Sequence, residues 1–300
     1  MPPEVEVRTD RWADGRPKVE YQFYRSAVGD TVRHGYYREY SQFVDSLVMV
    51  AGSYRDGVDL TTEQFYPMLS KARSLPTTSQ PSAGEFLELY RSLAGQAEAI
   101  VSIHISSELS GTVASALAAR EMLPDVPVHV VDSRSTAMGL GLIALAAARA
   151  AAEGHSAEEV AAAAEQLVPR TDVMFVVDTL EYLHKGGRIG GAAALLGSLI
   201  QIKPILHLDK GHIEALDKVR SRQKAMDRLM EIVAELAGGA GPLHASVIHA
   251  QAEKEAEAIR DRVSGAFRLA EMYTAGVSPA IGTHVGPGTV GIAFYAEPAG

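Results

Sequence analysis

The chain of 300 residues contains no cysteine. A disulfide framework, a thiolate zinc site, an iron–sulfur cluster and a cysteine nucleophile are therefore excluded. Basic residues are in deficit: 28 Lys and Arg stand against 37 Asp and Glu, a formal net charge of −9. The average field repels phosphates, so a surface built as a whole for nucleic acid is excluded. Long apolar runs are also missing. The longest uncharged ones, Ser135–Ala148 and Ile189–Ile202, fall short of the ~20 residues a spanning helix needs and are expected to be buried core helices. Met1–Asp10 is acidic and carries no basic stretch followed by an apolar run, so no secretory or membrane signal is read there and a soluble cytoplasmic protein is expected.

Hydrophobic residues at 47% and charged residues at 22% are near the globular average, which excludes wholesale disorder. Alternation of strand and helix signals begins near residue 47 and runs to about 180. Leu47–Ala51, Ala99–Ile105, Val126–Asp132 and Val173–Asp178 are short β-branched runs without clean polar alternation, as in strands covered on both faces. Between them lie helix signals. Ser82–Glu85 and Ser156–Glu159 fit capping boxes, Ser110–Met122 is rich in Ala and Leu, and Ser135–Ala152 is almost wholly apolar. Such alternation implies βαβ units and a parallel sheet. After Pro169 the strand candidates are Ile205–Leu208, Ala245–Ala250, Leu269–Tyr273 and Gly291–Tyr295, separated by amphipathic helices at Ser221–Ala237 and Ala252–Ser264. The fold class read from this is α/β in two domains. Residues 1–168 give a three-layer parallel-sheet domain and 169–300 a mixed-sheet domain. The first 46 residues, which hold Trp12 and much of the tyrosine, read as an irregular surface extension.

Several loops could carry chemistry. Leu75–Ser82 brackets four polar residues with prolines just before a capped helix. It reads either as a cap or as a stiff, hydroxyl-bearing anion receptor at a helix N-terminus. Ser106–Thr112 directly follows a strand and offers donors at the edge where open α/β sheets bind ligands, with helix capping by Ser110 as the alternative. Asp132–Thr136 reads as a neighbour of such a site. His184–Gly191 introduces, through Arg188, an apolar helix over Ala192–Ile202, which is buried on all sides or lines an apolar cavity. Lys218, Arg220, Arg222, Lys224 and Arg228 form a local basic stretch, either a solvated face or a dock for an acidic partner. Gly286–Gly291 spells G-x-G-x-x-G, but the chain beyond it reads as a strand and no βαβ unit can be built, so a dinucleotide site is rejected. His284 remains there, on a Gly-rich turn.

Taken together these motifs resemble the DegV family of bacterial fatty-acid-binding proteins. The matching text is Tyr54–Leu60, Pro76–Phe86 (PTTSQPSAGEF), Ile105–Thr112 (ISSELSGT), Val131–Ser133, Gly186–Ile189 (GGRI), Ile202–Ile205 and Lys218–Arg220, in order from about residue 54 to the C-terminus. Family members usually open with a strand ending in Thr-Asp-Ser; here Thr9-Asp10 is followed by Arg11-Trp12. The resemblance implies one long-chain fatty acid held between two α/β domains, with no other cofactor and no metal. It implies carboxylate binding by Thr77, by Ser107 with Ser106 the near alternative, and by His284, directly or through water. Leu195, Leu199, Ile202 and Ile281 are the expected tunnel lining. It also implies a partner, a dihydroxyacetone-kinase-like subunit of fatty acid kinase that phosphorylates the bound carboxylate, with Arg188, Arg220 and Arg222 as docking candidates. The protein is then a carrier in phospholipid metabolism and not itself a catalyst. It spans no membrane, though transient membrane contact fits the role. Burying about fifteen acyl carbons at roughly 0.8 kcal/mol each gives a gross gain of about 12 kcal/mol before association costs, so the chain supplies affinity and the polar groups position the head. Two other functions stand beside this one. An esterase could use Ser107 and His284, although no nucleophile elbow is present, and a regulatory protein could use the lipid as a signal.

Overall fold

The computed structural model describes residues 61–298 apart from 73, 197–201 and 239–240, and before residue 61 only the backbone of five strands. Strands β1 (Val5–Arg11), β2 (Pro17–Arg25) and β3 (Thr31–Arg33) form an antiparallel sheet. The stretch read as irregular thus contains regular backbone, in keeping with the period-two spacing of Val5 and Val7 and of Val19, Tyr21 and Phe23. Strand β4 (Ser46–Met49) pairs antiparallel with β5 (Gly52–Arg55) and with β6 (Thr77–Ser79). The strand expected at Leu47–Ala51 is therefore part of a small antiparallel sheet. Helix α1 (Thr62–Lys71) opens with a capping box between Thr61 and Gln64 and buries Phe65, Tyr66 and Leu69.

Helix α2 (Ala83–Ala94) has the expected capping box, Ser82 and Glu85 satisfying each other's backbone donors, and ends at Gly95. Strand β7 (Ile100–His104), helix α3 (Thr112–Glu121) and strand β8 (Val128–Asp132) make a parallel unit whose outer face is sealed by Phe86, Tyr90, Ala116 and Ala119. Helix α4 (Ala137–Ala152) is the apolar helix foreseen. It buries Met138, Leu142, Ile143 and Ala147 and packs against α5 (Ala157–Leu167), β7 and the second sheet.

That second sheet has six strands in the order β11-β10-β9-β14-β12-β13. They are β9 (Asp172–Val176), β10 (Lys203–Asp209), β11 (His212–Val219), β12 (Leu243–His249), β13 (Leu269–Gly276) and β14 (Val290–Ala296). Only β12 and β13 run parallel, so the sheet is mixed. Strand β9 joins this sheet and not the parallel pair, although it continues the sequence pattern of the first half. Alternation along β9 decides its two faces. Val173, Phe175 and Val177 turn to the central core with α4, while Met174 and Val176 turn to the core under α7 (Arg222–Ala237) and α8 (Glu253–Ala266). The short helices α6 (Glu181–Lys185) and α9 (Pro279–Val285) pack together at one end.

The helix expected over Ala192–Ile202 is absent from its described part. Gly190–Leu195 forms a 3-10 turn in which Ala192 alone is buried, and Leu196 is exposed. Small residues carry apolarity but little packing area, so the run does not hold a core helix there.

Helix α4 is tied to the mixed sheet by charge as well as packing. Arg149 makes a two-bond pair with Glu271 on β13, which also accepts from Tyr273 and pairs with His244. Burial pushes the Glu271 carboxyl up, but bonds from Arg149, Tyr273 and His244 outweigh it and hold it at about 2. Leu142 of α4 is fully buried. A Leu142→Ala variant is expected to lose about 2–5 kcal/mol of stability, through lost transfer energy and an unfilled cavity. A lower urea midpoint with unchanged m-value is the measurement.

Candidate functional site

The carboxyl ends of the parallel strands face one end of the mixed sheet, and a cleft open to solvent, about 820 Å³ with that open solvent included, lies between them. Its wall is mostly hydrocarbon: Ile105, Leu109, Phe175, Leu183, Ile248 and Ile281 are among the lining residues. The polar side chains are few and convergent, as in a small-molecule site. Thr78 and Gln80 come from β6 and its loop, Ser110 from the loop after β7, Thr136 from the start of α4, Arg188 from the glycine-rich turn, His284 from α9 and Thr289 from just before β14.

Thr78 and His284 share a hydrogen bond of 2.8 Å between Oγ1 and Nε2. Strand alternation explains why it is Thr78 and not Thr77. In β6 the flanking Thr77 and Ser79 are exposed and Thr78 is half-buried. Thr78, and not the expected Thr77, is among the lining residues. Gly186 lets α6 approach the imidazole, since a Cβ there would lie 2.3 Å from His284 Nδ1. That Nδ1 is buried and has no hydrogen-bond partner among the described residues. Burial, and secondarily the Arg188 charge, push the imidazole down to about 4, so it is neutral at pH 7.

Arg188 is a wall residue of the cavity, not an outward docking group. Its Nε donates to the Leu109 carbonyl at 3.1 Å and its Nη1 to the Gly186 carbonyl at 2.7 Å. Sequence reasoning missed this because a guanidinium on a glycine-rich turn is ordinarily solvated. One of the carbonyls that receive it, Gly186, is in its own turn, but the other, Leu109, lies 79 residues away. Arg222 is likewise engaged, with Glu255, with Asp178 and with the Gly288 carbonyl. Arg220 is exposed.

The two serines of the Ser-Ser motif sit beside the cavity but are not among its lining residues. Ser106 is fully buried and donates to the Gly211 carbonyl at 2.9 Å. Ser107 is exposed and donates to Asp132 at 2.6 Å. Since Ser107 is paired with a carboxylate and His284 with Thr78, the two are not joined as a nucleophile and its base. Ile281 is one of the lining residues. Leu195 and Ile202 are not among the lining residues, and Leu199 lies outside the described residues. Gln80 and Ser110 are wall residues without prior assignment; the first is packed against Gly111, where a Cβ would come within 2.9 Å of its amide nitrogen. Among the described residues no group of three His, Asp or Glu side chains could hold a metal ion, and no helix is long and apolar enough to cross a membrane.

A family model described as "Uncharacterised protein, DegV family" matches residues 38–297. A DegV domain-containing protein of Streptomyces coelicolor is 46% identical over 242 residues, covering 79% of this chain and 84% of that one. The solved structure of a DegV family protein from Thermus thermophilus, described for its fatty acid binding, is similar at a TM-score of 0.81 and 34% identity, covering 85% of this chain and 91% of that chain. DegV of Bacillus subtilis, described as a fatty acid binding protein, is similar at 0.79 and 37% identity, covering 87% and 94%. The match over most of the chain, the identity to relatives and the common two-domain α/β fold agree: the chain belongs to the DegV family.

Proposed function

We propose that the protein binds one long-chain fatty acid in this cavity, with the carboxylate at the Thr78–His284 pair and the acyl chain along the apolar wall. The observation that carries the reading is the pairing of an aliphatic cavity with one small polar corner: Thr78, His284 and Arg188. A carboxylate drawn out of water without partners costs several kcal/mol, so donors are needed. With Nε2–H donating to Thr78 Oγ1, the threonine proton is left to point at the ligand. Arg188 spends its Nε and Nη1 on backbone carbonyls, and acts as a nearby positive charge more than as a fork. That arrangement holds the head in place and leaves an oxygen available for reaction.

Fatty acid binding by the DegV relatives described above supports the ligand class. The chain itself is a carrier. It presents the carboxylate to a dihydroxyacetone-kinase-like subunit, where one carboxylate oxygen attacks the γ-phosphorus of ATP to give acyl phosphate and ADP. Arg220, exposed at the end of the β11 edge strand, is the docking candidate retained.

Lipid extraction from freshly purified protein, read by mass spectrometry, is expected to release a fatty acid in near-stoichiometric amount. Protein free of lipid that also fails to take up palmitate or oleate refutes the reading. For the partner, Arg220→Glu is expected to bind palmitate like the parent and to lose acyl-phosphate formation in a reconstituted kinase assay. Equal phosphorylation of both proteins removes Arg220 from the interface.

A further inference from the structure

The fully buried Ser106 hydroxyl is completely committed. It accepts from the Glu108 amide at 3.2 Å and donates to the Gly211 carbonyl at 2.9 Å. Gly211 is the tip of the β10–β11 hairpin, 105 residues away, so this bond joins the loop after β7 to the mixed sheet. The tip is built for close approach. Lys210 and Gly211 both have positive φ, 49° and 89°, and a Cβ on Gly211 would lie 2.3 Å from Ser106 Oγ. A ring of exposed bonds surrounds the buried one. Arg134 donates to the Lys210 carbonyl at 3.2 Å and pairs with Glu108 at 3.3 Å, and His212 stands 3.4 Å from the other Glu108 oxygen.

Immediately beyond the tip, Ile213 is buried and lines the cavity. Its backbone packs on Gly190, where a Cβ would lie 2.2 Å from the Ile213 carbonyl oxygen. Gly190 belongs to the turn that carries Arg188, and Arg188 returns to the Leu109 carbonyl in the same loop as Ser106. The contacts therefore close a circuit around one side of the cavity.

We infer that Ser106 is a positioning residue: its hydroxyl clasps the hairpin tip to the loop after β7, and this clasp closes the cavity wall formed by Ile213 and the Arg188 turn. Ser106 then acts on ligand retention without touching the ligand. The inference rests on the lipid reading only for what is retained, since the clasp itself is a property of the ligand-free chain.

The test uses the full chain and two readouts. In Ser106→Ala, hydrogen exchange of the lipid-free protein is expected to rise roughly tenfold at residues 209–214, because a buried carbonyl loses its donor, while α7 and β12 keep their protection. Release of bound palmitate is expected to quicken by a similar factor, with association changed less. Arg134→Ala, which removes the exposed bond to the tip together with exposed ion pairs to Glu108 and Asp132, should shift both in the same direction by about two- to threefold, and it serves if Ser106→Ala fails to fold. Faster release with unchanged exchange in the lipid-free hairpin would mean that Ser106 touches the carboxylate itself, and overturns the clasp. Unchanged exchange and release also overturn it, as does raised exchange with unchanged release. Wild-type protein that takes up no palmitate defeats the lipid reading alone, and the exchange measurement then decides whether the clasp exists.

Discussion

Replacing His284 with alanine is expected to weaken palmitate binding roughly ten- to a hundredfold, since hydrogen bonding that serves an ionised group is worth about 1.5–3 kcal/mol. Titration against a displaced fluorescent fatty acid measures it. The loss has two sources. The imidazole orients the Thr78 hydroxyl through their 2.8 Å bond, and its removal leaves both that hydroxyl and the ligand oxygen less well matched in a low-dielectric pocket. Thr78→Val should cost about as much. The double variant should cost clearly less than the sum, because the two side chains serve one oxygen and residues in one network do not add. His284→Gln, whose amide NH₂ can reach the position of Nε2, should recover part of the loss, whereas a role needing a cationic imidazole would not be rescued. Thr77→Val is the internal control: its side chain is exposed, and its affinity should stay within about twofold of the parent. A Thr77→Val protein that loses binding while Thr78→Val keeps it would reverse the assignment of the two threonines.

That reversal marks where the sequence stops being informative. Both threonines stand in the same motif, and choosing between them requires the facing of a three-residue strand, which pairing with Ser46–Met49 decides. The two serines behave alike. Their place at the end of a strand is local and legible, but the partner of Ser106 is a carbonyl 105 residues away, and no spacing within the motif announces it. Features that depend on four neighbouring residues came through intact. The capping boxes at Ser82 and Ser156 have both reciprocal bonds. The apolar helix at 137–152 turns Met138, Leu142, Ile143 and Ala147 into the core because its uncharged stretch through Ala148 has nowhere else to go. Strand β11 went unread, since HIEALDKV is an edge strand with one wet face and its charges look like a loop. Helix α1 is hidden by Pro67 inside it, and the described residues 192–196 show the converse, apolarity without an α-helix.

Stability of the lipid-free protein is expected to fall steeply as the pH is lowered from about 6.5 to about 4, and two histidines, one buried and one half-buried, set that window. Burial pushes His104 down to about 4, partly opposed by Asp132, and burial with the Arg188 charge does the same to His284. In the unfolded chain both return to about 6.5. Between those values the unfolded state binds more protons than the folded one, so stability rises with pH, is complete above about 6.5 and is lost as the pH drops toward 4. At about 1.4 kcal/mol per pH unit for each group, the loss is about 3 kcal/mol per histidine. Urea midpoints at pH 7, 6, 5 and 4 would show it. His284→Gln should remove about half of the slope and leave the His104 part. Loading the cavity gives the decisive contrast. A carboxylate beside His284 favours the imidazolium and brings its pKa back toward the ordinary value. The loaded protein should therefore take up protons on binding near pH 5.5 and lose less stability than the empty one over the same range. Identical slopes for empty and loaded protein would place the carboxylate away from His284, and would remove the polar corner from the site even if lipid is bound.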